Sequence, residues 1–264
     1  MLVEKYRQKE PFVYHPEIVI LPTSYDVDKY AATKFIEQVR SKPNSVLTLP
    51  TGSTPEGMYG LLVQTHKESG LDLSQLTTFN LDEYWQLPSD HSASYASYMQ
   101  RNLFQHVNIP VTQRHIPNSE APDPNIEAAH YEEMLTKQQV DLAILGIGPG
   151  TTCHIGFNGR GSAIDSRTRY MPLDEQTLHV NAQSFPNPNE IPRGSITQGI
   201  GNILEAKKIM LLAKGVDKAW GIQRTLEGPK GSEAPASFLR FHPRVTFVLD
   251  QAAAQLLYKK TSGN

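Results

Sequence analysis

Two adjacent carboxylates, Asp82 and Glu83, follow an apolar run in FNLDEYWQLP (79–88). On extended backbone, neighbouring side chains point to opposite faces. One carboxylate can therefore face a cleft as a proton-transfer base while the other is solvated or paired. A solvated turn is the plainer alternative. A second chemical group stands in LGIGPGTTCHIGFNGRGSAIDSRTR (145–169), where Gly146, Gly148 and Gly150 make a turn ahead of His154. An imidazole titrates near neutral pH, which suits a proton shuttle, though it could equally hold the loop through hydrogen bonds. Cys153 beside it reads as filler, because nothing nearby would activate a thiol.

Two further segments could seat an anion. In TGSTP (51–55), Gly52 permits close backbone approach, and Ser53 and Thr54 bring hydroxyls beside free N–H groups at a helix start. A capped helix without a ligand is the competing reading. In AKGVDKAWGIQ (213–223), Gly215 precedes a helix whose first turn carries Lys218, placed for a phosphate.

The elements that must hold these groups alternate. EIVILP (17–22) predicts a strand, and Val27, Tyr30, Ala31, Phe35 and Val39 then share one face of a helix. SVLTLP (45–50) is a second strand, followed by a helix capped by Ser53 or Thr54, with Pro55 in its first turn and Gly70 at its end. TTFNLDEYW (77–85) reads as a strand leading into a loop, and YASYMQRNLFQHV as a helix. NIEAAHYEEMLTKQ (125–138) is helical and VDLAILGIG (140–148) a buried strand. KIMLLAKG (208–215) and VTFVLD (245–250) are strands, each with a helical stretch behind it. Continuous apolar strands alternating with helices imply an α/β fold: a mostly parallel central sheet covered on both faces, within one domain over 1–264. Ligands of such sheets sit beyond the carboxyl ends of the strands. The glycines after the 140–148 strand do not make a dinucleotide site, because no helix opens behind them.

Bulk properties narrow the function. Of 264 residues, 39% are hydrophobic and 20% charged, and the net charge is −2, with acidic and basic residues interspersed. That leaves no electrostatic footprint for nucleic acid and no polybasic membrane patch. No apolar run approaches the roughly 20 residues needed to cross a bilayer. MLVEKYRQKEPF has charges where an export signal needs an apolar centre, so a cytoplasmic protein is expected. The single cysteine excludes an internal disulfide.

Taken in order, TGSTPEGMYGLL, FNLDEYWQLPSDHSASYASYM, HIGFN, SRTR, GVDKAWGIQ and PASFLRFHP resemble the glucosamine-6-phosphate deaminase/isomerase family, related to the 6-phosphogluconolactonases. The resemblance runs from about Ile18 to Leu257. It implies a Rossmann-like fold and conversion of an amino-sugar 6-phosphate to a ketose 6-phosphate plus ammonia, without metal or organic cofactor. Asp82 would be the base moving a proton between C2 and C1 of the opened sugar. His154 would assist ring opening at the ring oxygen. Gly52, Ser53, Thr54 and Lys218 would line the substrate and its phosphate. The phosphosugar is then the expected partner, with self-association into a homo-oligomer open, since relatives range from single chains to hexamers.

The chain also departs from that family. The usual loop is G-x-G-x-D-G-H-I-x-F-N-E. Here five residues separate Gly148 from His154, Thr152 stands where an aspartate is expected, and Gly159 stands where a glutamate is expected. Asp165 is a carboxylate that could fold back onto the imidazole. Gln183 falls near a phosphate-binding arginine of the family, and Met171 where an allosteric-site lysine occurs, so neither property is carried over. Arg167 and Arg169 remain as basic candidates, with structural pairing as their other role, and Glu83 remains a candidate beside Asp82. The missing carboxylates also favour two alternatives: a sugar-phosphate binding or regulatory protein, or a related enzyme such as a lactonase.

Overall fold

Apolar strands dictate the architecture. A computed structural model describes residues 14–148, 150–173, 185, 187 and 190–258. In chain order its strands are β1 (Glu17–Leu21), β2 (Val46–Leu49), β3 (Thr77–Asn80), β4 (Asp82–Tyr84), β5 (Arg114–His115), β6 (Leu142–Gly146), β7 (Arg169–Pro172), β8 (Gly194–Thr197), β9 (Ile209–Ala213) and β10 (Val245–Asp250). The helices are α1 (Ser24–Ser41), α2 (Glu56–Ser69), α3 (Tyr95–Asn102), α4 (Pro124–Thr136), α5 (Ile200–Leu204) and α6 (Ala219–Glu227). Seven strands form one sheet in the order β1-β10-β9-β6-β2-β3-β5, with every described pairing parallel.

β2 and β9 are buried along their whole length, as parallel strands covered on both faces must be. On one face pack α1, α2 and α3, through Val27, Phe35, Met58, Leu62 and Met99. On the other pack α4, α5 and α6, through Tyr131, Leu135, Ile203 and Ile222. Each such large apolar side chain stabilises the fold by about 1.5–3 kcal/mol relative to exposure.

Local chemistry explains the helix starts. Thr23 caps α1: its hydroxyl accepts from Asp26 N at 3.2 Å, and Asp26 Oδ2 accepts from Thr23 N at 3.0 Å. Val27, Ala31, Phe35 and Val39 of that helix are buried, as their spacing predicts. α2 ends at Gly70 as expected, but neither Ser53 nor Thr54 caps it. Pro55 occupies the capping position with no side-chain bond to the helix.

Two sequence expectations are corrected. TTFNLDEYW does not run into a loop: after β3 the chain crosses to a second, three-stranded sheet in the order β4-β8-β7, both pairings antiparallel. β7 and β8 carry few of the apolar residues that announce a strand, so pairing with β4, not propensity, makes them extended. The segment after β10 forms turns rather than a helix.

Candidate active site

Asp82 and Glu83 lie on β4, so their side chains leave on opposite faces, and the structure gives them different work. Asp82 is 5% exposed and Glu83 1%. Glu83 Oε1 accepts from Tyr84 N at 2.8 Å and Tyr95 N at 3.0 Å, while Oε2 accepts from Ala96 N at 2.7 Å. Tyr95 and Ala96 open α3, so this carboxylate satisfies N–H groups that a helix start leaves unbonded. Glu83 is thus neither solvated nor turned toward the Asp82 face. Its role is to anchor α3 to β4.

Asp82 has no such saturation. It pairs in register with Thr197 of β8. A β-carbon on Gly156 would stand 3.1 Å from Asp82 Oδ2 and 3.1 Å from Thr197 Oγ1, and Gly156 adopts φ +56°. Glycine suits both the close approach and the left-handed backbone there. Burial pushes the Asp82 carboxyl up to about 8, with the Glu83 charge adding to it and the Phe157 N–H opposing. Burial also raises Glu83, to about 7, against three N–H donors. A carboxyl balanced near neutral pH has the affinity that a general base needs.

The glycine loop that touches Asp82 at Gly156 carries His154 two residues earlier. The loop is tied on several sides. Gly148 N donates to His154 O at 2.9 Å, Ala236 N donates to Cys153 O at 3.0 Å, and Gly150 N donates to Asp217 O at 3.3 Å. The imidazole lies against Gly148, where a β-carbon would come within 2.1 Å of its Cε1. Its Nδ1 is 2.8 Å from Thr152 Oγ1. The hydroxyl at the position where the family resemblance leads one to expect an aspartate thus contacts the ring itself. Asp165, the possible substitute, is exposed, with its backbone against Gly201 of α5. Cys153 is fully buried and its thiol is raised by burial, in keeping with a filler.

The anion-seat segments meet the same loop. Tyr59 and Tyr98 pin the 50–52 segment through bonds to the carbonyls of Pro50 and Gly52, each 2.6 Å. Thr54 Cβ is 3.9 Å from the β-carbon position of Gly146. Gly52 and Ser53 are exposed ahead of α2. Lys218 sits in a single 3-10 turn, Val216–Lys218, ahead of α6 rather than inside the α-helix. Its side chain is only 13% exposed, and its Nζ is 3.7 Å from Asp217. Burial lowers its pKa while Asp217 raises it, the first winning. A desolvated ammonium beside the glycine loop is a strong point charge for an anion.

Arg167 does not join them. It donates to Glu132 and Glu205, at 2.7 Å for both Nε and Nη1. These partners belong to α4 and to the segment leading into β9, so Arg167 is a structural tie near the amino ends of the strands. Arg169 stands on β7 across from Thr197, which itself pairs with Asp82. Its guanidinium donates to the Arg167 carbonyl and the Ser162 hydroxyl, both 3.2 Å, and burial lowers its pKa. Gln183 lies outside the described residues. Thr197 is the neighbour of Asp82 that sequence reasoning missed; its strand carries no apolar pattern to flag it.

Two open concavities, about 610 Å³ and 830 Å³, lie elsewhere, lined by residues such as Glu17, Leu142 and Val245 or Val140, Lys207 and Arg244 at the amino ends of strands. Neither includes Asp82 or His154. These grooves lie away from the carboxyl ends of the strands, where ligands of parallel sheets bind. Among the described residues no helix is long and apolar enough to cross a membrane.

Comparison with known proteins identifies the family. Positions 23–247 match the sequence profile of the glucosamine-6-phosphate isomerases/6-phosphogluconolactonase family. Glucosamine-6-phosphate deaminase of Rhodopirellula baltica is 44% identical over 245 residues, covering 92% of this chain and 97% of its own. The deaminase of Halothermothrix orenii is 44% identical over 241 residues, covering 90% and 99%. A solved monomeric glucosamine-6-phosphate deaminase superposes with a TM-score of 0.88 at 38% identity, over 91% of this chain and 99% of that one. The 6-phosphogluconolactonase of Trypanosoma cruzi shares the fold at a TM-score of 0.73 and 21% identity, over 94% and 99%. With its profile match running from the cap of α1 into β10 and its parallel sheet intact, this chain belongs to the glucosamine-6-phosphate isomerase/6-phosphogluconolactonase family.

Proposed function

We propose that this chain converts glucosamine 6-phosphate, or an epimer of it, to the ketose 6-phosphate and ammonia in the cytoplasm, through ring opening, aldose–ketose isomerisation and hydrolytic loss of the amine. The observation that carries the reading is Asp82, buried at the end of the sheet, raised to about 8, and touching the loop that bears His154. Moving a proton from C2 to C1 needs a base that can both take and return it, and a carboxyl near neutral pH does so with little cost in either direction. His154 is the separate acid–base group for the ring oxygen. Lys218, with the Gly52–Thr54 segment and the uncapped start of α2, receives the phosphate. That remote anion supplies binding energy without touching the reacting carbons. Water completes the balance by releasing the amine from C2 as ammonia. The deaminase relatives at 44% identity support the same substrate class.

The test is release of ammonia and ketose phosphate from glucosamine 6-phosphate and from galactosamine 6-phosphate, with Asp82→Asn as the control. Turnover no greater than that of the control on both sugars sinks the proposal. A second reading, sugar-phosphate binding without turnover, is favoured by the hydroxyl that meets His154 at Thr152. It requires saturable calorimetric binding with no product.

A further inference from the structure

We propose that Lys214 and Asp28 form a charge-compensating pair for the phosphate seat: Lys214 cancels a buried carboxylate at the start of α2, so that this edge of the sheet stays open to an anion. The inference rests on the reading that the substrate phosphate lies at the Gly52–Thr54 segment, the start of α2 and Lys218. Three observations carry it. Lys214, the residue after β9, donates to both carboxylate oxygens of Asp28 in α1, at 2.8 Å and 3.0 Å. The two side chains are only 15% and 10% exposed, so water screens the pair little. The carboxylate lies against the first turn of α2, where a β-carbon on Gly57 would stand 2.1 Å from Asp28 Oδ2. The missing side chain at Gly57 is what admits the carboxylate.

Pro55 gives α2 no side-chain cap, so the positive end of that helix is left to another anion. Asp28 alone would fill that role itself and would repel a phosphate dianion in a weakly screened setting. Lys214 removes the net charge without entering the first turn. The other carboxylates of this edge are handled differently. Asp250 is enclosed by neutral donors: Gly215 N at 3.1 Å and 3.0 Å from its two oxygens, Ser24 Oγ at 2.7 Å and Ala253 N at 2.7 Å. Asp217 is exposed beside Lys218, and Glu56 is exposed on α2. Among these four acids, Asp28 alone is both buried and matched by a lysine.

The experiment measures kcat and KM, and calorimetric Kd, for glucosamine 6-phosphate and galactosamine 6-phosphate at low and high salt. It compares wild type, Lys214→Met, Asp28→Asn and the double variant. Lys214→Met raises KM and Kd about five- to thirtyfold, the weight of one uncompensated charge near a dianion, while kcat changes by less than about twofold. Added salt narrows that gap. Adding Asp28→Asn to Lys214→Met returns KM most of the way to wild type, because the repelling carboxylate is gone. A pair that merely braced α1 against β9 would stay impaired in the double variant. Asp28→Asn alone lowers KM, since Lys214 is then an unpaired cation at the seat, and it decides the matter should Lys214→Met fail to fold. An Asp28→Asn KM above wild type, or a double variant no better than Lys214→Met, overturns the proposal. A wild type that binds neither sugar phosphate removes the reading of the seat, and the role of the pair with it. A wild type that binds one of them, with a Kd unmoved in Lys214→Met, overturns the role of the pair alone.

Discussion

The two ends of the parallel sheet use buried charge in opposite ways. At the amino ends, burial pulls the Asp141 carboxyl up, but bonds from Lys42 and Lys207 and from Val46 N outweigh it and hold the group below its usual range. Arg167 is likewise closed between Glu132 and Glu205. At the carboxyl ends, Asp82 is buried with only the Phe157 N–H opposing the shift, and its carboxyl rises to about 8. Lys218 is lowered by the same burial despite Asp217. Charges that are fully paired lock strands together and are silent near neutral pH. Charges left short of partners are costly to the fold. Two open concavities lie at the paired end, and neither includes Asp82 or His154.

The largest expected effect that sharpens this comparison is at Asp82. Asp82→Asn keeps the shape, removes the base and should lower kcat by about 10²–10⁴ on the accepted hexosamine phosphate, read as ammonia release. It should also remove a buried ionisable group, so the variant melts no lower than wild type above pH 8. A fall below tenfold would mean that the proton moves elsewhere. Lys218→Met comes next. Losing a desolvated cation that meets the phosphate should raise KM about 10- to 100-fold, the weight of a charge-assisted hydrogen bond, with a smaller change in kcat. An unchanged KM would place the phosphate away from Lys218.

The order of these residues was readable in the sequence because the fold obeys period. Apolar runs gave β2, β3, β6, β9 and β10, and the stripe of Val27, Ala31, Phe35 and Val39 gave α1. The rule that ligands collect at strand carboxyl ends then brought Asp82, His154, Gly52 and Lys218 to one edge. What was not readable shares a single physical cause: the signal lay between distant segments. β7 and β8 have no strand pattern of their own and exist because β4 offers them an edge. Arg167 resembles any loop arginine until Glu132 and Glu205, 35 and 38 residues away in the chain, close on it. Glu83 and Asp82 are neighbours of one type, and only the arrival of α3 tells them apart. Thr152 was legible as a departure from family pattern but not as a contact.

Glu83→Gln tests the separation of the two neighbours. The Glu83 charge raises Asp82, so its removal lowers the Asp82 pKa and moves the alkaline rise of kcat/KM toward lower pH. Because Gln offers one acceptor where the carboxylate serves three N–H groups, the fold should lose about 1–3 kcal/mol. Stability against pH carries the same signature. Both carboxyls titrate higher folded than unfolded, so the folded chain keeps protons that the unfolded chain releases. Their contribution is complete below about pH 4 and is lost as pH rises through 7 to 8, by at most about 1.4 kcal/mol per unit for each group. Denaturant melts between pH 5 and 9 should show this decline, flattened in Glu83→Gln. A variant with wild-type slope and an unmoved kcat/KM profile would show that the carboxylates do not sense each other.

The smallest effect should be at the paired end. Arg167→Met removes an arginine that is 37% exposed, and screened pairs of this kind are worth about 0–1 kcal/mol. The melting temperature should fall by no more than about 2–4 °C. kcat and KM should stay within twofold, because no group that faces the sugar changes its charge or its partners. The contrast with Lys218→Met is what matters, since both variants delete one cation: Arg167 is held by two carboxylates at 2.7 Å, Lys218 by the single, exposed Asp217 at 3.7 Å. If Arg167→Met raised KM as Lys218→Met does, substrate would have to reach the amino ends of the strands, and the division between a structural and a chemical edge of this sheet would fail.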